Sequence, residues 1–172
     1  MKTRFETVSR EQFYRDWQKV FGIQPEDEAA QRDWAYASLK IPKRATKKSA
    51  GYDFFAPFDI SIGPGETVVI PSGIRAILRD DQVMIIAPRS SLGFKYRLQL
   101  DNSIGVIDAD YYVSDNEGHI MLKITNDSRD YRPCFIRTGD ALVQGIILHY
   151  ETMDEEDEPT KERNGGIGST NA

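Results

Sequence analysis

The sequence predicts a mainly β protein, a sandwich or barrel of short strands, with a short α-helical insertion near the N-terminus. Three observations predict it. From Ile41 onward, short runs rich in Val and Ile are separated by turn chemistry such as "IGPGE", "PSG", "RDD", "NDS" and "RTGD". No helical pattern alternates with these runs, which points to a sandwich or barrel. Helical periodicity is confined to residues 9–37.

Taken in order, "KTRFETVS" suits a first strand. Ser9 and Gln12 then form an S-x-x-Q capping box, and Phe13, Trp17, Val20 and Phe21 follow at helical spacing until Gly22 stops the pattern. Pro25 with Glu26, Asp27 and Glu28 marks a second helix start, with Ala30, Trp34 and Ala37 as its expected buried face. "TVVI", "IRAIL", "VMIIA", "HIMLKI" and "ALVQGIIL" read as strands. "ETMDEEDEP" is acidic and poor in core residues, so it reads as a solvated linker. The expected organisation is a domain over 1–150, with the insertion at about 9–37, followed by a linker and glycine-rich arm over 151–172.

The chain has 172 residues, enough for one domain with a sizeable core. Its net charge of −5 argues against general nucleic-acid binding. Cys134 is the only cysteine; it can form no internal disulfide and reads as a small buried hydrophobe. No apolar run is long enough to span a membrane and the start carries no signal-peptide pattern, so the expected location is cytoplasmic. His119 and His149 lack metal-ligand spacing and read as structural or surface residues.

Chemistry is concentrated in a few places. "IGVIDADYYV" sets Asp108 and Asp110 in an apolar and aromatic run, where a carboxylate is costly unless paired or used. "RNGGIGST" combines glycines, hydroxyls and a cation, which suits wrapping a phosphate. Five segments stand in order: "SAGYDFFAP" (49–57), "APRSSLG" (87–93), "NSIGVIDADYY" (102–112), "GDALVQ" (139–144) and "RNGGIGST" (163–170). Their order resembles the five motifs of the trimeric dUTPase family, over residues 41–170, with Gram-positive bacterial and phage members the most similar.

The resemblance implies a jelly-roll-like β-barrel that hydrolyses dUTP to dUMP and pyrophosphate with Mg²⁺. It also implies a homotrimer with shared active sites, in which the C-terminal arm crosses to a neighbour. By the same resemblance Asp108 positions and deprotonates the attacking water, while Asp110 has no such role and reads as a solvated turn residue. Tyr111 lies against the deoxyribose and rejects a 2′-hydroxyl. Asn102, with the main chain of 102–107 including Gly105, Val106 and Ile107, reads uracil. Ser90, Ser91 and Gly93 face the phosphates, and Arg89 is either a phosphate ligand or an ion-pairing residue. Gln144 lies near the α-phosphate. Asp53 helps hold Mg²⁺ through water, the metal being carried mainly by the triphosphate. Arg163, Gly166, Ile167, Gly168, Ser169 and Thr170 close over the nucleotide.

Three departures from the family pattern stand out. Ile167 replaces the phenylalanine that stacks on uracil, with Phe94 and Tyr96 as candidate substitutes. Arg163 sits one residue closer to the double glycine. "YYVSDNEGHI" is longer than usual and points to a bulged loop beside the site. The nearest rival is a dCTP deaminase of the same fold, but "IMLKITN" carries Lys123 where that enzyme has its glutamate. A second rival is an added regulatory role, with a protein partner docking on the 9–37 insertion through Trp17 and Trp34. The insertion is expected to pack on its own barrel, away from the uracil pocket.

Overall fold

The computed structural model describes residues 2–22 and 26–154. Strand β1 (Arg4–Thr7) leads into α1 (Arg10–Phe21) and α2 (Glu26–Ala37). Then come β2 (Lys43–Arg44), β3 (Tyr52–Phe55), β4 (Ile60–Ile62), β5 (Thr67–Pro71), β6 (Ile74–Ile77) and β7 (Gln82–Pro88). Helix α3 (Ser90–Tyr96) precedes β8 (Leu98–Leu100) and β9 (Gly105–Ile107). A 3₁₀ turn (Ala109–Val113) is followed by β10 (Met121–Asn126), β11 (Cys134–Ile136) and β12 (Ala141–His149).

The strand pairings among the described residues are antiparallel, in the orders β2-β3-β12-β7-β9, β5-β10-β8, β1-β6 and β4-β11. Period-two patterning turns alternate side chains inward. In β7, for example, Met84 and Ile86 are buried while Val83 and Ile85 are only partly so. Together with Phe54, Ile62, Ile70, Ile124 and Leu142 they belong to one core. This is the mainly β, jelly-roll-like architecture expected from the sequence.

Helix α1 is part of that core. Phe13 and Trp17 are buried, and the Trp17 ring meets Phe58 of the barrel edge-on at 5.1 Å between centroids. A fully buried side chain of this size contributes roughly 1.5–3 kcal/mol of hydrophobic stabilisation, so Trp17 is spent on the fold and is not offered to a partner. The Ser9 hydroxyl caps the helix by accepting from the Gln12 N–H at 3.1 Å, and Gly22 stops it with a φ of 81°.

One expectation is corrected here. The buried face of α2 is centred on Ala35, not on Ala30, Trp34 and Ala37, which are exposed. Ala-rich helices give little contrast between faces, so tertiary packing chose the side. Residues 90–96 form α3, a short helix that the sequence reading did not mark. Cys134 is buried as expected, and that burial pushes its thiol pKa up.

Candidate active site

Three motif segments meet across neighbouring strands. Gln144 on β12 stands in register with Asp53 on β3 and with Ala87 on β7. The pairing depends on a one-residue bulge in β12 between Ala141 and Val143. Without it Gln144 would face Tyr52, so the bulge re-aims the side chain. Beyond β7, Arg89 Nε lies 3.4 Å from Asp53 Oδ1, an ion pair with the guanidinium half-exposed and the carboxylate largely covered. A Cβ on Gly51 would come within 2.6 Å of Gln144 Oε1, so the glycine makes room for that amide. Gln144 Nε2 reaches towards the Pro88 carbonyl at 3.4 Å.

Ser90 and Ser91 open α3 and are exposed. The N–H of Gly93 donates to the Arg89 carbonyl at 2.9 Å, inside the first turn. That donor is therefore engaged within the helix. Phe94 is 91% exposed on the same helix, and Tyr96 is half-buried.

The chain turns between β8 and β9 at Asp101–Ser103, with Ser103 at a φ of 65° and its N–H donating to the Leu100 carbonyl at 2.9 Å. Asn102 is exposed at the tip. β9 is an end strand of its sheet, so one edge of Gly105, Val106 and Ile107 has no strand partner among the described residues. A Cβ on Gly105 would sit 3.1 Å from the Ile86 Cβ, so the close approach this glycine permits is to β7. Lys123 of β10 pairs with Asp101 of that turn at 2.8 Å. That pair and a bond from Thr125 hold the Asp101 pKa below the ordinary carboxylate value.

Asp108 follows Ile107, which pairs with Met84, so it stands at the opposite end of β7 from Arg89. It is exposed and lines an open cleft of about 510 Å³ with Asp80, Asp110, Tyr112 and Tyr150. Five steps from Val83 to Pro88, at about 3.3 Å each, separate the two ends by roughly 16 Å. One chain therefore brings together Asp53, Arg89, Gln144 and the serines, but not these with Asp108. Tyr111, between the cleft-lining Asp110 and Tyr112, is buried.

Behind Tyr111 lies a polar network that the sequence reading missed. Its hydroxyl donates to the His119 carbonyl at 2.9 Å, and Asn116 Nδ2 donates to that hydroxyl and to the same carbonyl, each at 3.1 Å. The His119 ring is fully buried, with Nδ1 2.8 Å from Asp16 Oδ2 of α1. Burial disfavours the Asp16 charge, but bonds from His119, Lys19 and Gln12 outweigh it and hold the carboxyl well below the usual range. The only sequence signal was the extra length of 112–119, which reaches α1. Arg163, Gly166, Ile167, Gly168, Ser169 and Thr170 lie outside the described residues.

These features define an antiparallel β-barrel with polar groups gathered at both ends of strand β7. The dUTPase family model matches residues 37–171. A deoxyuridine 5′-triphosphate nucleotidohydrolase of Lactococcus lactis is 41% identical over 138 residues, covering 79% of this chain and 91% of its own length. That of Ectopseudomonas mendocina is 35% identical, covering 74% and 85%. The dUTPase of Streptococcus mutans superposes with a TM-score of 0.62 at 29% identity, covering 88% of this chain and 98% of its own. A mutant dUTPase from phage phi11 of S. aureus has the same fold, with a TM-score of 0.62 at 19% identity and coverage of 93% and 99%. The chain belongs to the dUTPase family.

Proposed function

We propose that this chain hydrolyses dUTP to dUMP and pyrophosphate, in active sites shared between the subunits of a homotrimer. The observation that carries the shared site is the separation of Asp108 from the Asp53–Arg89–Gln144 group at opposite ends of β7. A carboxylate that serves water at the α-phosphorus and serines that serve the phosphates must lie within one triphosphate's reach. Two copies satisfy that where one chain does not. The arm containing Arg163, Gly166, Ile167, Gly168, Ser169 and Thr170 then closes over a neighbour's nucleotide.

In this reading the Asp108 carboxylate orients a water in line with the α-phosphorus and accepts its proton. The new bond joins the water oxygen to that phosphorus. The bond to the bridging oxygen of the β-phosphate breaks, and its electron pair leaves with pyrophosphate. Asn102 and the open edge of β9 read the base. Uracil and cytosine differ in their donor and acceptor pattern, so the wrong base leaves buried polar groups unpaired. Tyr111 presents the wall that excludes a 2′-hydroxyl. Ser90 and Ser91 donate to the phosphates, and Arg89 acts first through its pair with Asp53.

Among the described residues no group of three or more His, Cys, Asp or Glu side chains could hold a metal by itself. That donor set fits Mg²⁺ carried mainly by the triphosphate, with Asp53, already facing a guanidinium, contributing through water. When bound, the ion would neutralise phosphate charge. The phage phi11 protein coordinates a structural Mg(II) ion. No described helix is long and apolar enough to cross a membrane, and a cytoplasmic location fits nucleotide chemistry of this kind.

The test is to incubate the protein with each deoxynucleoside triphosphate and Mg²⁺ and identify the products. Conversion of dUTP alone to dUMP and pyrophosphate is expected. Release of ammonia from dCTP would favour the deaminase reading, which the Lys123–Asp101 pair opposes.

A further inference from the structure

We propose that Asp16 and His119 are positioning residues for Tyr111, through which the inserted helix α1 sets discrimination between dUTP and UTP. The inference rests on the reading of Tyr111 as the sugar-facing wall.

The geometry specifies the state of the pair. The Gly73 N–H donates to His119 Nε2 at 2.8 Å, so that nitrogen carries a lone pair. The ring proton is then on Nδ1 and is donated to Asp16 Oδ2 at 2.8 Å. Asp16 also accepts from Gln12 Nε2 at 2.7 Å and Lys19 Nζ at 2.8 Å. His119 is thus tied by its ring to α1 and to the turn between β5 and β6. Its carbonyl is the acceptor for the Tyr111 hydroxyl. A second tie lies beside it, where the Ser9 N–H and hydroxyl donate to the Glu117 carboxylate at 2.8 and 2.7 Å.

A buried carboxylate is a poor device for stability alone, because apolar packing of similar volume holds a helix as well. A fully satisfied polar network does specify one arrangement. Here that arrangement ends on the Tyr111 hydroxyl. If the His119 carbonyl shifts, the ring follows, and space opens where the 2′-hydroxyl of UTP would fit.

The experiment measures kcat/KM for dUTP and for UTP in the full-length protein and in Asp16→Asn, Glu117→Ala, Tyr111→Phe and Tyr111→Ala. The ratio of the two values does not depend on the fraction folded, so a merely structural role leaves it unmoved. Ile62→Ala, a cavity in the core strand β4, is the control for lost stability. The ratio should fall about tenfold in Asp16→Asn and in Tyr111→Phe, mainly through a lower KM for UTP, with kcat for dUTP little changed in Asp16→Asn. The double variant should be no worse than either single one, because both cut the same tie. If Asp16→Asn does not fold, Glu117→Ala decides in its place: a lowered ratio supports the coupling and an unchanged one overturns it. An unchanged ratio in Asp16→Asn and Tyr111→Phe beside a collapsed ratio in Tyr111→Ala overturns the coupling and leaves the Tyr111 reading standing. An unchanged ratio in Tyr111→Ala overturns that reading, and the coupling with it.

Discussion

His119 Nδ1 and Asp16 Oδ2 meet at 2.8 Å between α1 and the loop that follows the 3₁₀ turn, both side chains buried. The Asp16 pKa is depressed in the fold, so this group stabilises the protein above its unfolded value and loses that contribution as pH falls towards the folded one. Wild type should therefore lose stability relative to Asp16→Asn by roughly 1 kcal/mol per pH unit below about pH 4. Urea midpoints of the two proteins at pH 7 and pH 3 check this. An equal gap at both pH values would count against the assignment.

Asp108→Asn should bind dUTP and fail to turn it over, with kcat lower by more than about 10² from misplacing and failing to activate the water. Titration calorimetry with a non-hydrolysable analogue and a pyrophosphate-release assay separate the two effects. Near wild-type turnover would remove Asp108 from the mechanism.

Truncation after Tyr150 should leave a folded trimer with little activity, because the arm is proposed to serve a neighbour's site. Sedimentation and activity measured together test it. A monomeric full-length protein would contradict the shared site.

Two adjacent glycine positions should respond differently to alanine. At Gly51 the added Cβ meets Gln144 Oε1 at 2.6 Å, the far end of a side chain that can swing away, so activity should fall with stability nearly unchanged. At Gly145 the Cβ meets Met84 Sδ at 2.8 Å and Phe54 Cε2 at 2.9 Å inside the core. That substitution should cost about 1–3 kcal/mol by overpacking. Thermal melts and kcat/KM on both variants distinguish the outcomes.

Trp17→Ala should destabilise by roughly 3–5 kcal/mol, the range for emptying a buried aromatic site. Denaturant unfolding measures it. A loss below about 1 kcal/mol, typical of surface changes, would mean that the indole is not part of the core.

Much of the local structure was legible in the sequence because it depends on near neighbours. Short runs rich in Val and Ile between turn residues placed β5, β6, β7, β10 and β12. Ser9 and Gly22 marked the ends of α1, since a hydroxyl acceptor and a positive φ are local requirements. The order of five short motifs carried the family. The other half of the expected capping box was not legible. Gln12 turns to Asp16, and the Ser9 N–H is satisfied by Glu117, 108 residues away. Such partners are chosen by packing, and no local pattern encodes them.

Tertiary structure alone decided three features that matter for the site. It set Gln144 opposite Asp53 through a bulge whose one-residue shift leaves no clear mark in the sequence. It chose Ala35 as the covered side of α2, where small side chains made the faces nearly equivalent. It also sent Asp108 and Arg89 to opposite ends of β7, because β9 runs antiparallel to β7 and carries the chain away from Arg89. Sequence composes the segments, whereas strand direction and register, set by burying one face of each strand, decide which of their side chains can meet.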